Sequence, residues 1–174
     1  YMPFHYSLYK SNGDKIEVEN NGKLLLKEKT TIIEVNGLDE KPIPSLNQNF
    51  TAPVIINYSY EKDEWAILMA HALDEFNRYD AAQTLVDIEI NDLIAQYNSS
   101  ETETVSMQVS SDYLNAFGAL LKDESLSHSF RAYALELPAL KAQNDKRSLY
   151  NFDGLPLAIN HLRSEVAAHF EADL

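Results

Sequence analysis

The chain has 174 residues, 45% hydrophobic, 24% charged and 10% aromatic, which excludes a disordered chain and leaves room for one domain or two small ones. Twenty-seven acidic residues against 14 basic ones give a formal charge of −13 and a sequence pI of about 4.7, which repels phosphate backbones and anionic lipid surfaces, so neither nucleic acid nor membrane is an expected partner. The absence of Cys rules out a disulfide framework, a thiolate nucleophile and the common zinc-finger ligand sets. No apolar run reaches the roughly 18–20 residues of a membrane helix, and no basic stretch leads into an apolar core at the N-terminus, so a cytoplasmic location is expected. The abrupt Tyr1-Met2-Pro3 opening, inside what reads as an extended stretch, raises the expectation of a piece of a longer chain.

Over residues 4–60 the signal is short β-branched and aromatic runs punctuated by Asn12-Gly13, Asn21-Gly22 and Asn36-Gly37. Asn-Gly pairs tolerate the positive φ angles of tight hairpin turns. Strands are predicted over 4–10, 15–19, 23–28, 30–35 and 53–60 as part of an antiparallel sandwich. The clearest is the last, where Val54, Ile56, Tyr58 and Tyr60 alternate with Ile55, Asn57 and Ser59. Pro42 and Pro44 are assigned to a connecting segment, because proline cannot donate to a sheet ladder.

After Glu61 the period becomes helical. Trp65, Leu68, Met69, Ala72 and Phe76 form one apolar stripe, and Ala82, Leu85, Val86, Ile90, Leu93, Ile94 and Tyr97 a second, which a polar loop over 98–104 ends. A third helix is predicted over 111–122 with Ser110 or Ser111 as N-cap, and a short fourth over 127–135, stopping before Pro138. Residues 138–151 are ambiguous. The last helix starts near Gly154-Leu155-Pro156 and carries Leu155, Ile159, Leu162, Val166 and Phe170 on one side.

Candidate chemistry is thin. His161, Glu165 and His169 are spaced four apart on the last helix, a spacing that stacks potential zinc ligands, but their face is the one that solvated residues normally occupy. No His is followed by Glu, so the H-E-x-x-H zinc motif is missing, and His71 reads as a surface or inter-helix contact. Asp74-Glu75, Asp123-Glu124 and Glu101 with Glu103 are carboxylate pairs without the sheltered cleft that general acid–base work needs. With five Gly and no G-x-S-x-G there is neither a nucleophile elbow nor a phosphate-cradling loop. Sequons at Asn49, Asn57 and Asn98 carry little weight, Asn57 because it lies in a predicted strand. The expected catalytic, cofactor-binding and metal-ligating residues are therefore none.

Pro42-Ile43-Pro44-Ser45-Leu46, Phe50-Thr51-Ala52-Pro53-Val54, His71, Phe76-Asn77-Arg78-Tyr79 and Ala82-Gln83 together resemble the bacterial aminopeptidase N family of zinc metallopeptidases. The family pattern there is P-V-P-S-L, F-S-A-P-V, H-D-x-D-P-F-N-R-W and A-x-Q. Ala72 stands for the usual Asp, Glu75 for Pro and Tyr79 for Trp, all at a helix junction. Met2-Pro3-Phe4-His5-Tyr6 is similar to the family's P-F-H-I-P strand, and the helices near Ala116-Phe117, Leu120 to Glu124 and Leu135 to Pro138 are similar more loosely. The stretch 139–150 departs most.

The resemblance implies an α+β fold class: a partial Ig-like antiparallel β-sandwich over 1–61, followed over 62–174 by an α-helical array that opens a helical domain capping a catalytic cleft. It implies that the zinc motif, the G-A-M-E-N motif and the catalytic Tyr all lie upstream, outside this chain. The expected function is thus a non-catalytic structural fragment of a zinc-dependent aminopeptidase. It has no cofactor of its own, one zinc ion in the parent, the parent's catalytic domain as partner, and peptides reached only through that parent. The alternative is a self-standing sandwich-and-helix binding module; an acidic hydrolase lacks a sheltered carboxylate pair. If strands and helices are missing at the two ends, self-association is expected through the first strand, which carries no Asp or Glu over 4–9, or through the last helix.

Overall fold

The structure is a computed structural model that describes residues 1–99, 106–147, 151 and 153–173. It divides into two compact units, Tyr1–Ala81 and Ala82–Leu174. The first unit is built on one four-stranded antiparallel sheet. Strand β1 (Met2–Tyr9) pairs along its first half with β3 (Lys23–Leu26), in register Met2↔Leu26 to His5↔Lys23. Along its second half it pairs with both β2 (Lys15–Ile16) and β4 (Ile43–Leu46). Alternation buries both faces of β1: Tyr6 and Leu8 pack with Ile16, Val35 and Leu38, while Ser7 and Tyr9 are buried on the other side, where the Tyr9 hydroxyl accepts the Leu73 amide at 2.9 Å.

The Asn-Gly signals at Asn12-Gly13 and Asn21-Gly22 mark real turns. At Asn12-Gly13 the Gly13 amide reaches the Lys10 carbonyl at 2.9 Å, closing the β1–β2 hairpin. Gly22 has φ of +75°, and a Cβ there would lie 1.8 Å from the Tyr6 carbonyl oxygen, so both backbone conformation and space exclude a side chain.

Three strand assignments need correction. Pro44 is inside β4, opposite Leu8, because β4 is an edge strand: at this register the proline nitrogen points away from β1, and its carbonyl receives the Tyr60 hydroxyl at 2.6 Å. Residues 30–35 are not a strand; Val35 packs on the small core while Ile32 and Ile33 are exposed. Residues 53–60 are extended but join no ladder. The first strand is also not an unguarded edge, since it is the central strand of the sheet.

Helix α1 (Lys62–His71) starts where the Glu64 carboxylate accepts the Glu61 amide at 3.0 Å, and it buries Ala66, Leu68 and Met69. The predicted first stripe is broken after Ala72, because Asp74 accepts the Asn77 amide at 2.9 Å and caps a new helix, α2 (Glu75–Ser99). Phe76 therefore belongs to α2 and is exposed.

The second unit holds the rest of α2, which buries Ala82, Leu85, Val86, Ile90 and Leu93 as its period predicts. There follow α3 (Ser111–Leu121, capped by Ser110), α4 (His128–Ala134, capped by Ser127), α5 (Leu140–Asp145) and α6 (Gly154–His169). The ambiguous 138–151 stretch thus contains a short helix, fastened to α2 by Gln143 and Lys146 on Asp87 and by Arg147 on Asn91. Glu89, 1% exposed, accepts both the amide and the hydroxyl of Ser110 at 2.7 Å. The predicted loop over 98–104 begins inside α2 at Asn98 and Ser99 and otherwise lies outside the described residues. Leu155, Ile159, Leu162, Val166 and Phe170 are all buried, with Phe170 stacked on Phe117 at 5.1 Å, so the last helix offers no open apolar stripe for self-association.

Candidate functional site: a junction network and an aromatic groove

In the first unit, Pro-Ser-Leu (44–46), Asn-Gln-Asn-Phe-Thr-Ala (47–52) and Phe-Asn-Arg-Tyr (76–79) meet in one polar network. The Asn47 side chain donates to the Ala52 carbonyl and accepts the Ala52 amide, both at 2.9 Å, closing the turn 47–52 on itself. Asp74, buried at the start of α2, accepts the Asn49 and Asn77 amides at 2.9 Å. The Asn77 side chain reaches back to the Ser45 hydroxyl at 2.8 Å and the Leu46 carbonyl at 2.9 Å, covering the outer edge of β4. Arg78, 4% exposed, donates from Nε to the Met69 carbonyl at 2.9 Å and from Nη2 to the Ala70 carbonyl, satisfying the C-terminal turn of α1. These side chains hold backbone; none of them is a free nucleophile or base.

Beside this network lies a groove of about 370 Å³ between the extended segment, β4, and the helices α1 and α2. Val54, Ile56, Tyr58 and Tyr60 share its wall, so the period-two pattern was a true statement about side-chain direction. Rings continue around it: Tyr58 to Tyr60 and Tyr60 to Trp65 at 4.4 Å between centroids, and Phe50 to Phe76 at 4.0 Å. Phe50 is held at φ of +50°, an unusual conformation for a bulky residue, and remains 61% exposed. Burial pushes the Tyr60 phenol well above its usual range and raises the Asp80 carboxyl at the groove wall. Lys41 donates to Glu64 at 2.7 Å, which raises its ammonium, and sits 5.5 Å from the centroid of the Tyr58 ring. The groove is shaped to hold apolar or aromatic groups. Its alternation was visible in the sequence, but its helical wall was not.

The other candidates stay apart. Among the described residues no three His, Asp or Glu side chains converge as a metal-binding group. His161 is half-buried with Nε2 unpartnered, whereas Glu165 and His169 are exposed and the His169 ring stands edge-on to Phe170. These three side chains are not placed to share one zinc ion. His71 is exposed against the Asn12-Gly13 turn, where a Cβ on Gly13 would fall 2.3 Å from its ring. Asp123 accepts the Ser125 amide at 3.0 Å and its hydroxyl at 2.5 Å, Glu75 and Glu124 are exposed, and Glu101 and Glu103 lie outside the described residues. Asn57 lies on the exposed extended segment and not in a paired strand.

Family comparison covers nearly all of the chain. Residues 1–59 match a domain of unknown function, DUF3458, described as an Ig-like fold, and residues 62–174 match DUF3458_C, described as ARM repeats. The chain belongs to this DUF3458 family, and its fold is accordingly an Ig-like antiparallel sheet followed by a helical array.

Among curated relatives it is similar to aminopeptidase N of Haemophilus influenzae, 26% identical over 178 residues, covering 99% of this chain and 20% of that protein. Aminopeptidase N of Escherichia coli is 26% identical over 183 residues, covering 100% and 20%, and that of Caulobacter vibrioides 27% over 149 residues, covering 84% and 16%. The crystal structure of Legionella pneumophila aminopeptidase A in complex with aspartic acid has the same fold, with a TM-score of 0.71 at 24% identity over 99% of this chain and 19% of that one. The chain spans about a fifth of the length of the curated relatives that it matches along its whole length.

Proposed function

We propose that the chain is a non-catalytic, scaffolding part of an aminopeptidase N-like polypeptide, whose catalytic portion uses one zinc ion to remove N-terminal residues from peptides. The observation that carries this reading is the similarity to aminopeptidase N along the whole chain, at a fifth of that enzyme's length. The junction supports it: the residues of the recognisable motifs are spent on fixing backbone, as a scaffold requires. On this reading the Ig-like part is 1–61 and the helical part 62–174; the partner is the catalytic domain of the same polypeptide, peptides are met only through it, and the location is cytoplasmic. No helix among the described residues is long and apolar enough to cross a membrane.

A self-standing binding module is the competing reading, and the open aromatic groove favours it. Sequencing the complete reading frame separates the two. The scaffold reading expects the frame to continue upstream into an H-E-x-x-H motif with a downstream Glu. A frame that opens at Met2 overturns it.

A further inference from the structure

We propose that Asn36 is a self-modification site: its side-chain amide is lost through a cyclic imide formed with the Gly37 backbone nitrogen, which leaves an aspartyl or isoaspartyl residue at position 36 of the folded chain. The inference goes beyond the scaffold reading and does not depend on it. In an Asn-Gly pair the glycine nitrogen approaches the side-chain carbonyl carbon with no Cβ in its way, so Asn12-Gly13, Asn21-Gly22 and Asn36-Gly37 start from the same intrinsic reactivity. The fold separates them.

Imide closure needs a side chain free to turn, a glycine N–H not held by an acceptor, and a main chain that rotates until that nitrogen faces the Asn side chain. At the first pair both reacting groups are held. The Asn12 side chain donates to the Asp14 carboxylate at 2.8 Å and accepts the Asp14 amide at 3.0 Å, while the Gly13 N–H donates to the Lys10 carbonyl at 2.9 Å. At the second pair the main chain is the obstacle. Asn21 has φ of 51° and ψ of 35°, which turns the Gly22 nitrogen to the far side of the Cα–C bond from the Asn21 Cβ. Rotation is blocked there, because Gly22 is buried and the Tyr6 carbonyl oxygen fills the space beside its Cα.

The third pair meets every requirement. Among the described residues neither the Asn36 side chain nor the Gly37 N–H has a hydrogen-bond partner, both residues are exposed, and nothing lies within 4 Å of where a Gly37 Cβ would stand. No sheet restrains the stretch, since β3 ends at Leu26 and β4 starts at Ile43. The neighbours, however, are fastened. Val35 and Leu38 pack on the core of Tyr6, Leu8 and Ile16, and Glu40 accepts the Ser11 amide at 2.9 Å and the Ser11 hydroxyl at 2.6 Å. Asn36-Gly37 is thus the open tip of a loop anchored on both sides.

The reaction consumes water and no other reactant. The Gly37 nitrogen gives up its proton and bonds to Cγ of Asn36; the Cγ–Nδ2 bond breaks, and Nδ2 departs with that proton as ammonia. Water then opens the imide. Opening at Cγ leaves an ordinary aspartyl residue, and opening at the main-chain carbonyl leaves an isoaspartyl residue whose chain runs through Cβ and Cγ. Either product adds a carboxylate between Glu34 and Asp39, and the isoaspartyl form also lengthens the backbone between two seated side chains. Val35 and Leu38 then cannot both keep their places, so the small core loosens.

Peptide mapping by mass spectrometry of the 174-residue chain, incubated folded and in urea at neutral pH, tests this. In the folded chain, conversion of amide to acid is expected at least about tenfold faster at 36 than at 12 or 21, whereas in urea the three rates come within about threefold of one another. Conversion at 12 or 21 that matches 36 in the folded chain overturns the proposal, and so does an Asn36 that stays intact there. A preference for 36 that persists undiminished in urea also overturns it, because local sequence and not the fold would then set the order. The isoaspartyl fraction, separated by ion exchange, is expected to melt at least about 2 °C below Asn36→Asp, which carries the same charge on an ordinary backbone. Equal melting of the two overturns the loosening of the core.

Discussion

Arg78 shows how single residues set this structure. Its guanidinium is buried and ends a helix eight and nine positions upstream, so truncation removes the charge-assisted hydrogen bonds to the Met69 and Ala70 carbonyls and strands both. Arg78→Met is expected to cost about 2–4 kcal/mol in urea unfolding. Arg78→Lys should recover only part of this, because one ammonium cannot reproduce the planar fork.

Asp80 bears on pH. Burial raises its carboxyl above the usual range, so folding favours the neutral form. Its contribution is fully present below the unfolded value of about 3.9 and is lost as pH rises through the folded value. Asp80→Asn should therefore raise Tm at pH 7, by only about 1 °C because the residue is exposed and solvent screens the effect, and change little at pH 3. An unchanged Tm at pH 7 would contradict this. The Phe-Asn-Arg-Tyr motif was legible in the sequence, but its work was not, because the atoms that the Asn77 and Arg78 side chains reach at Ser45, Leu46, Met69 and Ala70 lie 8 to 32 positions away.

At the scale of elements, helices were easier to read than strands, for a physical reason. Helical bonds are local, so the 3.6-residue period of Ala82, Leu85, Val86, Ile90 and Leu93 suffices to place α2. A strand needs a partner that its own sequence does not specify. The alternation at 54–60 correctly set side-chain direction yet had no ladder, and β4 formed in spite of Pro44 because its outer edge requires no donor.

Leu162, 1% exposed on α6, tests the helical core: Leu162→Ala is expected to cost about 2–5 kcal/mol by denaturant midpoint. Gln143 is fully buried and bound to Asp87, so Gln143→Leu leaves that carboxylate with Lys146 alone among the described residues and should destabilise by about 1–3 kcal/mol. A neutral result would show that α5 is not fastened to α2 through this group.

For the whole molecule, the two compact units differ in how completely they close. In the helical unit the stripe of α6 is covered, while the sheet unit leaves Phe50, Val54, Ile55, Ile56 and Phe76 open around an unpaired segment. On the proposed reading, that asymmetry is expected of a part that finishes its surface against the rest of an aminopeptidase N-like polypeptide. The most direct measurement is an aminoacyl arylamide assay, with zinc analysis after dialysis against a mild chelator, run on the 174-residue chain beside the product of the complete reading frame. The account predicts turnover and about one zinc ion per chain for the longer product, and neither for the short one. Turnover with stoichiometric zinc in the 174-residue chain alone would contradict it.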